Sequence, residues 1–103
     1  MASTRQRGRA TELKAKRWYE AQGFQVQVAP MPTRWSRQND LWGLFDLCCV
    51  RADTIVFSQV KMAKGSTYGK ALDAHRAFVV PGNCRKECLL WEARKREPVV
   101  IPL

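Results

Sequence analysis

Two kinds of hydrophobic patterning run through the chain. Phe24-Gln25-Val26-Gln27-Val28 alternates strictly between apolar and polar positions, which predicts a half-buried strand that Pro30 and Pro32 bring to a stop. From Gly43 to Lys61 two further apolar runs, Gly43 to Val50 and Ile55 to Lys61, flank a polar break at Arg51 to Thr54 and predict a β-hairpin. Pairing Val50 with Ile55 sets Asp46 opposite Gln59 and leaves Asp46, Gln59 and Lys61 on one face, because side chains alternate along a strand. A one-residue slip, or a bulge at Cys48-Cys49, would turn Asp46 to the other face. Gly8 to Gln22 is rich in helix formers and predicts a helix that Gly23 ends. Its wheel gathers Ala10, Leu13, Trp18 and Ala21 on an apolar arc, and Arg5, Arg9, Glu12, Lys16 and Tyr19 on another. A second helix is expected from Gly69 to Val79, with Ala71, Leu72, His75, Phe78 and Val79 inward and Pro81-Gly82 as its stop. Cys88 to Arg94 and Val99 to Leu103 read as a last hairpin around Lys95 to Pro98. The predicted order is α-β-β-β-α-β-β, an α/β domain with a mixed sheet flanked by two helices.

Length changes the picture little: 103 residues make one domain, residues 1–103, with a basic lead over residues 1–7. Charge changes it more. Eighteen Lys and Arg against nine Asp and Glu leave +9, which points to a polyanionic partner, with nucleic acid ahead of an anionic membrane surface or a mere aid to solubility. No run approaches a membrane-spanning length, and the N-terminus lacks a signal peptide's apolar core, so an intracellular, cytoplasmic location with DNA is expected. Cys48, Cys49, Cys84 and Cys88 are then free thiols. Structural zinc is not expected, because adjacent Cys48 and Cys49 should point to opposite faces of their strand.

The hairpin residues carry candidate chemistry. Asp46 offers a carboxylate, Gln59 an amide oxygen and Val60 a backbone carbonyl, the hard oxygen donors that Mg2+ or Mn2+ prefers. Glu12 can act on such an ion through water, and Lys61 can orient a water and stabilise charge on phosphate. Blander readings stand beside these: a cross-strand Asp46–Lys61 ion pair, and a surface Glu12–Lys16 pair. Trp35 between Arg34 and Arg37 suits base stacking with phosphate contact, or else a core indole with solvated arginines. The loop from Gly65 to Ala71 is one residue short of a phosphate-binding loop and ends in Ala, which rejects a nucleoside triphosphate site. His75, the only histidine, reads as packed or cross-bonded.

Taken together, Gly8-x-x-x-Glu12, Gly23-Phe24, Gly43-x-x-Asp46 and Gln59-Val60-Lys61 resemble, in order and in predicted element, the motifs of the PD-(D/E)XK nucleases. The resemblance covers about Arg7 to Val80, and the small size with a final Trp-containing hairpin is similar to archaeal-type and phage Holliday junction resolvases. It implies a restriction-endonuclease-like core and a Mg2+- or Mn2+-dependent endodeoxyribonuclease acting as a homodimer on four-way or other branched DNA. Catalytic roles would fall to Glu12, Asp46, Gln59 and Lys61, with Asp46, Gln59, the Val60 carbonyl and Glu12 around the metal. The DNA would be gripped by Arg5, Arg7, Arg9, Lys16, Arg34, Trp35, Arg37, Lys64 and Lys70. Gln59 departs from the Glu of most such resolvases, although Gln-x-Lys occurs in Mrr-like restriction enzymes, and should weaken metal affinity. A restriction-like or repair nuclease on duplex or flap DNA is the alternative enzyme, and a noncatalytic basic nucleic-acid-binding module the alternative outside enzymes.

Overall fold

Seven elements form in the expected order: α1 (Thr4–Glu20), β1 (Gln25–Val28), β2 (Leu47–Arg51), β3 (Thr54–Met62), α2 (Asp73–Ala77), β4 (Cys84–Trp91) and β5 (Val99–Pro102). The computed structural model describes residues 4–29, 41–42, 44–62, 72–92 and 94–103, with side chains from residue 9 onward. The strands form one sheet in spatial order β1-β2-β3-β4-β5, antiparallel throughout except for the parallel β3–β4 pair. A parallel pair needs a crossover, and the segment between β3 and β4 that contains α2 supplies it. The fold is mixed α/β: a five-stranded mixed sheet with two helices.

The hairpin register is the expected one, with Val50 opposite Ile55 and Arg51 opposite Thr54. Alternation along β3 then assigns its residues to two faces. Val56, Ser58 and Val60 are buried under α1, where Ala15, Tyr19, Phe24, Leu47, Cys49, Leu89 and Trp91 complete a core cluster. Phe57, Gln59 and Lys61 are half-buried on the opposite face, where Phe45, Phe57, Phe78 and His75 make ring contacts with one another.

The predicted apolar arc of α1 is corrected. Ala10 and Leu13 are exposed, as is Ala21 just past the helix end, while Ala15 and Tyr19 are fully buried and Glu12 and Lys16 half-buried. Tyr19 causes the rotation: its ring packs edge-on to Trp18 and Phe24, and its hydroxyl finds partners inside the core. A residue counted as polar therefore leads the buried stripe, and it carries Glu12 round toward the sheet.

Two strand and helix boundaries also move. β4 begins at Cys84 rather than Cys88, because β3 offers Cys84 to Glu87 a ladder partner despite their polarity. Helix α2 is shorter than predicted, and Phe78 already has extended backbone. Val80 precedes Pro81, whose ring disfavours helix at the residue before it. Of the predicted start of α2, residues 69–71 lie outside the described ones.

Gly23 ends α1 as expected, at φ 89°. Its N–H donates to the Glu20 carbonyl (3.0 Å) and the Phe24 N–H to the Tyr19 carbonyl (3.3 Å), the paired bonds of a Schellman motif. A Cβ added at Gly23 would meet only Arg51 Cδ at an ordinary 3.7 Å, so substitution costs backbone strain alone. Gly23→Ala is expected to lower unfolding free energy by about 1–2 kcal/mol, read by urea denaturation; an unchanged midpoint would contradict the left-handed cap.

Candidate functional site

Asp46 lies just before the first residue of β2, outside the ladder. The turn before it closes on itself: Leu41 N–H donates to the Phe45 carbonyl (2.9 Å), and Phe45 N–H to the Leu41 carbonyl (3.1 Å). The Phe45 carbonyl is thus committed to the turn, and the Asp46 carboxylate accepts the Val60 N–H instead, at 2.9 Å from Oδ2. The Asp46 N–H donates to the Ser58 carbonyl (2.9 Å), which belongs to the residue already paired with Leu47. Two residues facing one is a bulge, placed here rather than at Cys48-Cys49, so the expected Asp46–Gln59 pair does not form and the paired register ends at Leu47–Ser58. Asp46 therefore brackets Gln59 through contacts to Ser58 and Val60, and the residue is buried at 6 % exposure. Because N–H and C=O of a strand residue point to the same edge, the Val60 carbonyl also lies on the Asp46 side.

Gln59 is held from the α2 face. His75 Nε2 lies 2.6 Å from the Leu44 carbonyl and 3.3 Å from Gln59 Oε1. A carbonyl only accepts, so Nε2 carries the proton and orients the amide oxygen. Lys86 fixes α2 in turn, its ammonium donating to the carbonyls of His75 (2.7 Å), Arg76 (2.7 Å) and Phe78. These are the carbonyls a helix end leaves unsatisfied.

Lys61 and Cys88 share the Gln59 face, Cys88 being Gln59's partner in β4. Burial pushes the Cys88 thiol up to about 11; Lys61 and Arg76 act against that rise and Asp46 adds to it. Among the described residues Lys61 forms no salt bridge.

Glu12 approaches from α1. Its carboxylate pairs with Arg9 (3.6 Å) rather than Lys16, and its side chain is 23 % exposed. Arg9 also donates to the Ala29 carbonyl (3.3 Å), and the Ala29 N–H donates to the Asp46 carbonyl (2.8 Å). One chain of contacts therefore links the Glu12 turn of α1 to the backbone of Asp46. Behind the site, the Tyr19 hydroxyl donates to Glu87 Oε2 (2.6 Å) and shares a hydrogen bond with Ser58 Oγ (2.9 Å), and Arg85 pairs with Glu87 (3.0 Å). Burial and the neighbouring Glu87 push the Tyr19 hydroxyl far above its ordinary value.

Of the residues expected to grip DNA, Arg9 and Lys16 are half-buried on α1, and Arg5 and Arg7 lie in its first turns without described side chains. Arg34, Trp35, Arg37, Lys64 and Lys70 lie outside the described residues, as does Gly43. All four cysteines are free, as expected. Among the described residues no three His, Cys, Asp or Glu side chains cluster closely enough to hold a metal ion, and no helix is long and apolar enough to cross a membrane. The oxygen donors that Asp46, Gln59 and Val60 offer are one carboxylate, one amide and one backbone carbonyl. Sequence reasoning missed His75 as the partner of Gln59, and it did not single out Trp42, which lies exposed in the turn before Asp46. No family model matches the sequence, and no curated protein does.

Asp46→Ala would strand a buried Val60 N–H and is expected to cost about 1–3 kcal/mol in urea unfolding, while Asp46→Asn keeps an acceptor and should stay close to the unsubstituted protein. Equal stability of all three would contradict the bond. Raised thiols make a separate expectation. Cys88 keeps its proton to about 11 when folded, whereas an unfolded thiol loses it near 9.0. The unfolded chain then binds fewer protons over that interval, so stability falls as pH rises, by up to about 1.4 kcal/mol per pH unit per thiol. Buried Cys49 adds in the same direction. Unfolding midpoints that stay flat from pH about 8 to about 10.5 would contradict this.

Proposed function

We propose that the protein is a metal-dependent DNA endonuclease with a restriction-endonuclease-like core, acting on branched DNA and most specifically resolving Holliday junctions. The observation that carries this reading is the bulge that turns the Asp46 carboxylate onto the Val60 N–H, bracketing Gln59 on the face that Lys61 shares. The order of elements, with three antiparallel strands followed by a parallel β4 after α2, agrees with the core that the PD-(D/E)XK resemblance implies.

The donor set fits a hard divalent ion, since Asp46, Gln59 and the Val60 carbonyl are all oxygen donors. These three would hold Mg2+ or Mn2+, with Glu12 acting through water. When bound, the ion would acidify water and neutralise charge on the phosphate oxygens. The chain's own residues do the rest. Lys61 orients the attacking water and donates to the oxygens of the pentacovalent transition state, Glu12 accepts the water's proton, and His75 holds the Gln59 oxygen in place. Arg5, Arg7, Arg9, Lys16, Arg34, Arg37, Lys64 and Lys70 contact phosphates, and Trp35 stacks on bases. A homodimer would place two such sites for paired nicks. Edge strand β5, with Val99 and Val100 exposed, offers an apolar surface for it. The protein would work inside the cell, with DNA.

A noncatalytic nucleic-acid-binding module is the second reading, favoured by the bonds that occupy Glu12 and Gln59 in structural roles.

Incubation with an immobile four-way junction, matched linear duplex and a flap, in Mg2+ or Mn2+, separates these readings. Junction cleavage is expected, reduced at least ~100-fold in Asp46→Asn and Lys61→Ala. Gln59→Glu, which restores a charge to the ion site, should lower the metal concentration required. Cleavage of no substrate would leave the binding module. Equal cutting of linear duplex would remove only the resolvase assignment, and undiminished cleavage by both variants would refute the site.

A further inference from the structure

Trp42 occupies a position that the fold alone does not explain. It sits at the tip of the Leu41–Phe45 turn with φ 52°, in the left-handed region that bulky side chains rarely adopt. Asn or Gly would make this turn with less strain. The indole is 65 % exposed, so it is not there to fill the core. It is nevertheless held in place, with its ring 5.4 Å from Phe57 and 5.0 Å from Phe78. Those two rings are braced by Phe45, at 5.6 Å from each, and Phe45 packs edge-on to His75 at 5.4 Å. A rigid base thus presents an aromatic surface to solvent.

The surroundings specify what that surface would take. The turn leads directly into Asp46, and Phe57, which the indole touches, lies on the same face of β3 as Gln59 and Lys61. A chain of net charge +9 draws a phosphate backbone, and an exposed ring held in place offers a surface on which its bases can stack. Every nucleobase has a π-face, so such a platform needs an unpaired base rather than a particular sequence.

We infer that Trp42 is a stacking platform for an unpaired nucleobase of the strand whose phosphates enter the Asp46–Lys61 site. The inference rests on the nucleic-acid reading above and names the part of the substrate that site would hold: an unpaired base at a branch, not a paired duplex step.

The test measures binding in EDTA, by fluorescence anisotropy, of an oligo-dT strand, a four-way junction and a fully paired duplex. Trp42→Asn is expected to weaken oligo-dT and junction binding about tenfold and to leave duplex binding nearly unchanged, with Trp42→Phe keeping most of the affinity. Because Asn tolerates the left-handed backbone, Trp42→Asn should melt no lower than the unsubstituted protein. A lower melting temperature with unchanged affinity would make Trp42 a cap on Phe57 and Phe78 and overturn the platform, while leaving nucleic-acid binding intact. Binding of none of the three by the unsubstituted protein would overturn both. As a measurement on the unsubstituted chain, a junction carrying 5-iododeoxyuridine at its branch should photo-cross-link to Trp42. Cross-links mapped only to other residues would also overturn the assignment.

Discussion

The hydrogen bond from the Val60 N–H to the Asp46 carboxylate is the constraint on which the rest of the site depends. A buried backbone N–H left without an acceptor costs about as much as a lost hydrogen bond, so some acceptor must replace the Phe45 carbonyl once the Leu41 turn has taken it. Asp46 supplies that acceptor from its side chain. The same replacement sets where β2 begins, closes the edge of β3 at Val60 with a side chain, and buries an acidic residue there. A local demand of the ladder and the placement of an acid are thus one event.

Both faces of the sheet hold this event in place. On the α1 side, Tyr19 reaches through the core to Ser58 and Glu87, fixing the residue whose carbonyl receives the Asp46 N–H. On the other side, Lys86 gathers the last carbonyls of α2 and so sets His75 against Leu44 and Gln59. Each contact alone is modest. Their convergence on three consecutive residues of β3, Ser58 to Val60, is what would preorganise the proposed chemistry.

Much of the architecture was legible in the sequence because period-two alternation and a short polar break leave little freedom for a hairpin. The Val50–Ile55 register followed from that alone. Less legible was anything set by a polar side chain that is satisfied inside the core. Tyr19 counted as polar and turned the α1 wheel the wrong way, although the same rotation brings Glu12 toward the sheet. The bulge at Asp46 depends on a carbonyl captured within the Leu41–Phe45 turn, a local contact with no periodic signature. His75 read as packed or cross-bonded, but its partner was set by the crossover between β3 and β4. Trp42 left one signal: an aromatic just ahead of Gly43 in a turn, where small or polar residues are the rule.

The central claim is that Asp46, Gln59 and the Val60 carbonyl form one hard-ion site. Crystals soaked in Mn2+ and measured for anomalous scattering test it most directly. The expected result is a peak bounded by the Asp46 carboxylate, Gln59 Oε1 and the Val60 carbonyl, and its loss in Asp46→Asn. A peak elsewhere only, or one that persists unchanged in Asp46→Asn, would contradict it.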